Sequence, residues 1–160
     1  MILVAGIGNI FFGDDAFGVE VVHELLRREW PADVRIEDFG IRSYDLAYAI
    51  MNGWDAVILV DASPRGQPPG TVSLIELDAA LPSETDEVVN AHSLNPARVL
   101  QMVRSLGGQP QRLYLVGCEP AFLETDELGL SDPVRAAIPA AVELVESLVH
   151  DLQAGAKQPS

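Results

Sequence analysis

This chain of 160 residues predicts an α/β fold, on three observations. Short apolar runs alternate with longer segments whose apolar residues recur at helical spacing. The clearest run, Ala-Val-Ile-Leu-Val at 56–60, has no polar interruption, as a central strand requires. The first run, Ile-Leu-Val-Ala at 2–5, leads into Gly6-Ile7-Gly8 ahead of a helical segment, and open α/β sheets gather ligands at such carboxyl ends of strands.

Taken in order, residues 2–5 read as a buried strand ending at Gly6. Residues 16–29 carry Phe17, Val21 and Leu25 at helical spacing, and Trp30-Pro31 ends that helix because the residue before proline avoids the α region. Residues 33–38 alternate as a half-buried strand does, and Ser43 caps a helix over 44–52 that Gly53 stops. Strand 56–60 delivers Asp61 at its end. The stretch 64–70, rich in proline and glycine, is a loop, and 71–77 alternate as an edge or antiparallel strand. Residues 78–92 are polar and irregular, the pattern of a mobile loop. A helix over 94–106, with Asn90 or Ser93 as its cap, ends at Gly107-Gly108. Residues 112–117 are the last strand and 132–152 the closing helix, with Pro139 placed to kink its first part. Residues 1–152 are thus expected as one domain and 153–160 as a frayed tail.

A chain of this length buries ~70% of its extended surface, so neither a disulfide nor a structural metal is needed. An apolar fraction of 48% and a mean hydropathy of +0.17 exclude disorder over most of it. Ten basic residues against 24 acidic ones leave a formal charge of −14. That charge repels phosphate backbones and anionic membrane surfaces, and it favours a cationic metal or a basic polypeptide. No apolar run reaches the ~18 residues of a membrane span. The opening Met-Ile-Leu-Val-Ala-Gly lacks the basic region of a secretory signal, and the single Cys118 excludes an internal disulfide or a cysteine zinc cage. The expectation is a monomer in the cytoplasm that binds neither nucleic acid nor membrane.

The chemistry concentrates at strand ends. Gly6-x-Gly8 opens like a dinucleotide fingerprint, but Phe11 stands where the third glycine belongs, and Asp14-Asp15 oppose a pyrophosphate. Carboxylates at a helix start cap it or oppose its dipole; one of the pair has that role and the other is free to face the crevice. Asp61, after the central strand, is either a turn residue or a ligand. His92 sits beside helix-capping residues in a segment that also suits a ligand, whereas His23 and His150 read as ordinary helix-surface residues. Asp15, Asp61 and His92 together form an oxygen, oxygen, nitrogen set suited to zinc, nickel, manganese or iron, with positions open for water or substrate. No Ser-His-Asp order or nucleophile elbow is present, and Cys118 reads as a small core residue.

Gly6-x-Gly8-Asn9 followed by Asp14-Asp15-x-x-Gly18 resembles the signature of the hydrogenase maturation proteases. The order continues through Asp61-Ala62, Pro-Pro-Gly-Thr at 68–71, Ala91-His92-Ser93-Leu94 and Val116-Gly117-Cys118-Glu119-Pro120, across roughly residues 1–145. The resemblance implies a three-layer α/β/α sandwich around a twisted, mostly parallel five-stranded sheet. It implies an endopeptidase that removes the C-terminal extension of a nickel–iron hydrogenase large-subunit precursor after nickel insertion, the nickel being supplied by the precursor. It maps the metal-contacting and catalytic positions onto Asp15, Asp61 and His92; the first is Asp here where the family often has Glu. The segment Asp38-Phe39-Gly40-Ile41-Arg42 departs from the family's Asp-Gly-Gly-Thr-like pattern, and Asp38, Gly40 and Arg42 are the expected selectors of the cognate substrate. An aspartate acts either as metal ligand only or also as general base, if burial raises its pKa. The alternatives are a non-catalytic nickel-binding assembly factor and, in another class, a dinucleotide-binding oxidoreductase.

Overall fold

The computed structural model describes residues 1–77, 96–106, 112–122 and 129–157. Its strands are β1 (Ile2–Ile7), β2 (Val34–Gly40), β3 (Ala56–Ala62), β4 (Val72–Leu77) and β5 (Leu113–Cys118). Its helices are α1 (Phe17–Leu26), α2 (Ser43–Ile50), α3 (Pro96–Ser105) and α4 (Asp132–Lys157), with a 3-10 turn at Gly13–Ala16 ahead of α1. The five strands form one sheet in the order β2-β1-β3-β5-β4. All pairings are parallel except β4 with β5, so the alternating run at 71–77 is the antiparallel edge strand.

Side-chain alternation divides the core into two layers. Ile2 and Val4 of β1, Ala56, Ile58 and Val60 of β3, and Tyr114 and Val116 of β5 point to one face. There they meet Phe17, Val21 and Leu25 of α1 and Val134, Ala141 and Val145 of α4. The intervening Leu3, Ala5, Ile7, Val57, Leu59, Leu113 and Leu115 point to the other face, against Leu46, Ala47 and Ile50 of α2 and Val99 and Val103 of α3. This is the α/β/α sandwich. Because both faces of β1, β3 and β5 are covered, their sequences are apolar runs rather than alternations.

Several boundaries differ from the sequence expectation, each for a local reason. The α1 helix stops at Leu26, short of Trp30, because the Trp30 indole N–H donates to the Leu25 carbonyl at 2.7 Å and seals the C-terminus. Ser43 is the first residue of α2 rather than its cap; Arg42 occupies the cap position, with no side-chain capping bond. The α4 helix runs through Pro139 and past residue 152 to Lys157, so residues 153–157 are helical rather than frayed. Leu152 packs on the core there, and Gln153 donates to Asp33 at 2.9 Å. The irregular segment at 78–92, the caps proposed at Asn90 and Ser93, and the first residues of the helix expected from 94 lie outside the described residues. No helix among the described residues is long and apolar enough to cross a membrane.

Candidate functional site

Parallel pairing brings the carboxyl ends of β1, β2, β3 and β5 to one edge of the sheet, and everything chemically distinctive collects there. The segment after β1 folds tightly over that edge. A Cβ on Gly18, in the first turn of α1, would stand 2.0 Å from the Val60 carbonyl oxygen and 2.4 Å from that of Ile7. Only glycine lets α1 cross β1 and β3 this closely. Gly8 has a positive φ of 144°, and a Cβ on it would stand 1.8 Å from the Asp15 carbonyl oxygen. These two glycines press the loop onto the sheet and set Asp15 above the end of β3.

Asp61 lies inside β3, opposite Gly117 of β5, and its carboxylate is buried. Among the described residues, nothing hydrogen-bonds to its Oδ1. Burial raises the Asp61 pKa well above the usual carboxylate range; the charge of Asp15 raises it further, and the Ala62 N–H opposes both. Asp15 is also buried. Its Oδ2 accepts the Asn9 N–H at 3.0 Å, and desolvation raises its pKa against that bond. Two buried carboxylates close enough to repel are unfavourable unless a cation or a proton joins them. That donor set fits a divalent metal on oxygen ligands, and equally an acid–base pair holding a proton. His92, expected as the third ligand, lies outside the described residues.

Asp14 does something the sequence did not signal. It was expected to cap the helix or oppose its dipole, yet the turn at Gly13–Ala16 has no side-chain cap. Its buried carboxylate instead reaches across the fold to the segment between β5 and α4. Oδ2 accepts the N–H groups of Ala121 (2.7 Å) and Phe122 (3.0 Å) and the Ser131 hydroxyl (2.8 Å). Oδ1 accepts the Ser131 N–H at 2.7 Å, and the Asp14 N–H donates to the Phe122 carbonyl at 3.0 Å. Adjacent aspartates therefore have different work. Glu119 was likewise missed as an organiser: its Oε1 accepts the N–H groups of Arg65 (2.7 Å) and Gln67 (3.0 Å), holding the proline-rich loop against β5. In both cases the partners are distant in sequence, so no local pattern announces them. Cys118 is buried in the core, and burial, followed by the charges of Asp14 and Glu119, pushes its thiol up to about 11. A neutral, buried thiol is a poor nucleophile.

A groove of about 330 Å³ runs between Gly8–Phe11 and Asp38–Arg42; Asp15 and Asp61 do not line it, but Asn9, whose N–H binds Asp15, does. The Gly8 N–H donates to the Gly40 carbonyl at 2.9 Å and ties the two walls together. Asp38, Gly40 and Arg42, the expected substrate selectors, all line it. Arg42 is engaged within its own turn. Its guanidinium donates to the carbonyls of Asp38 and Phe39, pairs with Asp45 at 3.4 Å and lies over the Phe39 ring. Asp38 faces His23 of α1 at 3.1 Å. Ile10, Phe11 and Ile41 leave apolar surface exposed around the groove.

Comparison with known proteins gives one answer. A family model described as hydrogenase maturation protease matches residues 19–148. The hydrogenase 2 maturation protease of Escherichia coli K12 is 36% identical over 152 residues, covering 94% of this chain and 91% of that one. The hydrogenase expression/formation protein HupD of Rhizobium leguminosarum bv. viciae is 36% identical over 143 residues, covering 89% and 70%. Among solved structures, the E. coli hydrogenase maturating endopeptidase HybD superposes with a TM-score of 0.80 at 35% identity, covering 94% of this chain and 92% of that one. The [NiFe] hydrogenase maturation protease HycI of Thermococcus kodakarensis gives 0.67 at 27% identity, covering 93% and 92%.

Proposed function

The chain belongs to the hydrogenase maturation protease family, and from that premise we propose that it is the endopeptidase that removes the C-terminal extension of a nickel–iron hydrogenase large-subunit precursor once nickel is in place. One observation of the fold supports the metal-directed part of this reading. Asp61 presents a buried carboxylate oxygen with no partner among the described residues, beside the like-charged Asp15. A site so built is relieved by a cation that arrives with the substrate. Asp15, Asp61 and His92 are the residues that would engage it.

The nickel in the precursor supplies Lewis-acid polarisation of the scissile carbonyl, or orientation of a water. The chain's residues supply the rest. The first loop and the Asp38–Arg42 segment form the groove that receives the precursor strand, with Asp38 and Gly40 among the residues that select it. Beside engaging the metal, a buried aspartate such as Asp61 serves as proton carrier: as a carboxylate it accepts a proton from the attacking water, and as an acid it returns one to the departing amine. Hydrolysis then leaves a new carboxylate on the large subunit and a free amine on the released peptide. The reading extends to a monomeric enzyme of the cytoplasm, in keeping with the chain length and its single cysteine.

The deciding experiment incubates the protein with nickel-loaded and nickel-free precursor and follows the precursor's mass. Loss of the C-terminal peptide from the nickel-loaded form alone is the expected result. Binding without cleavage would instead make the protein a nickel-dependent assembly factor.

A further inference from the structure

The Asp14 carboxylate holds both ends of the segment between β5 and α4. Ala121 and Phe122 are bonded at one end and Ser131 at the other. The Phe122 backbone is bonded to Asp14 in both directions, while the Phe122 side chain is 61% exposed. Its position is set by the residue immediately before Asp15. On the same loop stands a second exposed aromatic, Phe11, 64% accessible. Its N–H is held at 2.9 Å by the Asn9 side chain, and the Asn9 N–H in turn binds Asp15. Two outward-facing phenyl groups are thus each anchored, through backbone bonds, to the segment that carries Asp15.

We infer that Asp14 is a positioning residue for substrate binding: it fixes the Phe122 backbone beside Asp15 so that the Phe122 ring engages an apolar side chain of the precursor next to the cut. This rests on the endopeptidase reading above. Asp14 touches neither substrate nor reacting atoms; Phe122 is the residue that determines specificity. Apolar contact beside the carboxylates also excludes water from the strand to be cut, which strengthens the electrostatics of the site.

The test measures both Kd and steady-state cleavage of nickel-loaded precursor for the wild type, Asp14→Asn, Phe122→Ala and the double variant. An amide at position 14 has to turn a donor toward donors, because all four of its partners donate. Each single variant is expected to raise KM and Kd about tenfold, with kcat within about twofold of wild type. The double variant should be no worse than the weaker-binding single variant, because both act through one contact. Ser131→Ala, which removes one of the four bonds, is the milder probe if Asp14→Asn does not fold, and it should raise KM several-fold while melting as a folded protein. Unchanged KM and Kd in folded Phe122→Ala would overturn the inference, as would multiplying effects in the double variant or a loss of kcat alone in Asp14→Asn or Ser131→Ala. If the wild type binds precursor without cleaving it, the endopeptidase reading falls and the Kd series still decides the role of Asp14. A wild type that does not bind precursor at all overturns both.

Discussion

Substituting Asp61 with Asn should stabilise the metal-free protein while abolishing cleavage. Asp61 is buried, Oδ1 has no partner among the described residues, and Asp15 adds a like charge. An amide keeps an acceptor for the Ala62 N–H and offers Asp15 a donor in place of a charge. An unsatisfied buried polar group costs ~1–3 kcal/mol. For a domain of this size each kcal/mol moves the melting temperature by ~2–4 °C, so Asp61→Asn should melt roughly 2–12 °C above wild type near neutral pH. The pH dependence carries its own sign. Asp61 has a folded-state pKa raised above its ordinary 3.8. Between those two values the folded protein holds a proton that the unfolded chain has lost. Wild-type stability therefore falls as pH rises through that window, and the loss is complete above the folded pKa. The advantage of Asp61→Asn should accordingly be smallest near pH ~4 and grow toward neutrality. Calorimetric melts across this range, on protein stripped with a chelator, measure it. A variant that melts below wild type at neutral pH would show that the Asp61 charge is already compensated, and the argument for a cation-seeking site would fail.

Other outcomes follow from the same geometry. His92→Ala should abolish processing, as the family resemblance expects of a metal-contacting position, with precursor cleavage as the measurement; normal processing would remove His92 from the site. Asp15→Ala should be inactive and Asp15→Glu active, since only the reach of the carboxylate changes; precursor cleavage by the two variants checks this, and a fully active Asp15→Ala would refute the assignment. Gly18→Ala should destabilise at or beyond the upper end of the ~1–3 kcal/mol typical of overpacking, because its Cβ meets two backbone carbonyls that cannot rotate away; denaturant unfolding at the wild-type midpoint would show that the helix can shift. Cys118→Ala should keep full activity, and the native thiol, pushed up to about 11, should resist alkylation near pH ~8 until the protein unfolds.

The α/β class was legible because it depends on local periodicity, whereas the three-layer sandwich was expected only from the family resemblance. Uninterrupted apolar runs at β1 and β3 announce strands covered on both faces, and the alternation at 71–77 announces an edge strand with one open face. The motif from Gly6 to Gly18 was legible for a related reason. Its glycines are required where backbone passes within van der Waals contact of backbone, a condition the local sequence has to meet wherever the rest of the chain goes. Asp61 was placed by the apolar run at 56–60 that leads into it, although the strand extends past it to Ala62.

What each carboxylate does was a different matter. Asp14 and Asp15 are chemically identical neighbours at a helix start; the residues alone allowed only that one is structural and the other faces the crevice, and the family resemblance chose Asp15 for the crevice. The tertiary structure separates them through partners far along the chain: Ala121, Phe122 and Ser131 claim Asp14, while Asp61 confronts Asp15. Arg42 lines the expected groove, but its guanidinium is already bonded to its own turn. Glu119 organises a loop that no spacing rule connects to it. Periodicity and close backbone approach are properties of a segment, so the α/β class, the succession of strands and helices and the glycine loop could be read from local residues. The bond that a buried carboxylate makes, and hence its charge state and its role, depends on which donors the packed chain brings within 3 Å of it, and those come from segments more than a hundred residues away for Asp14.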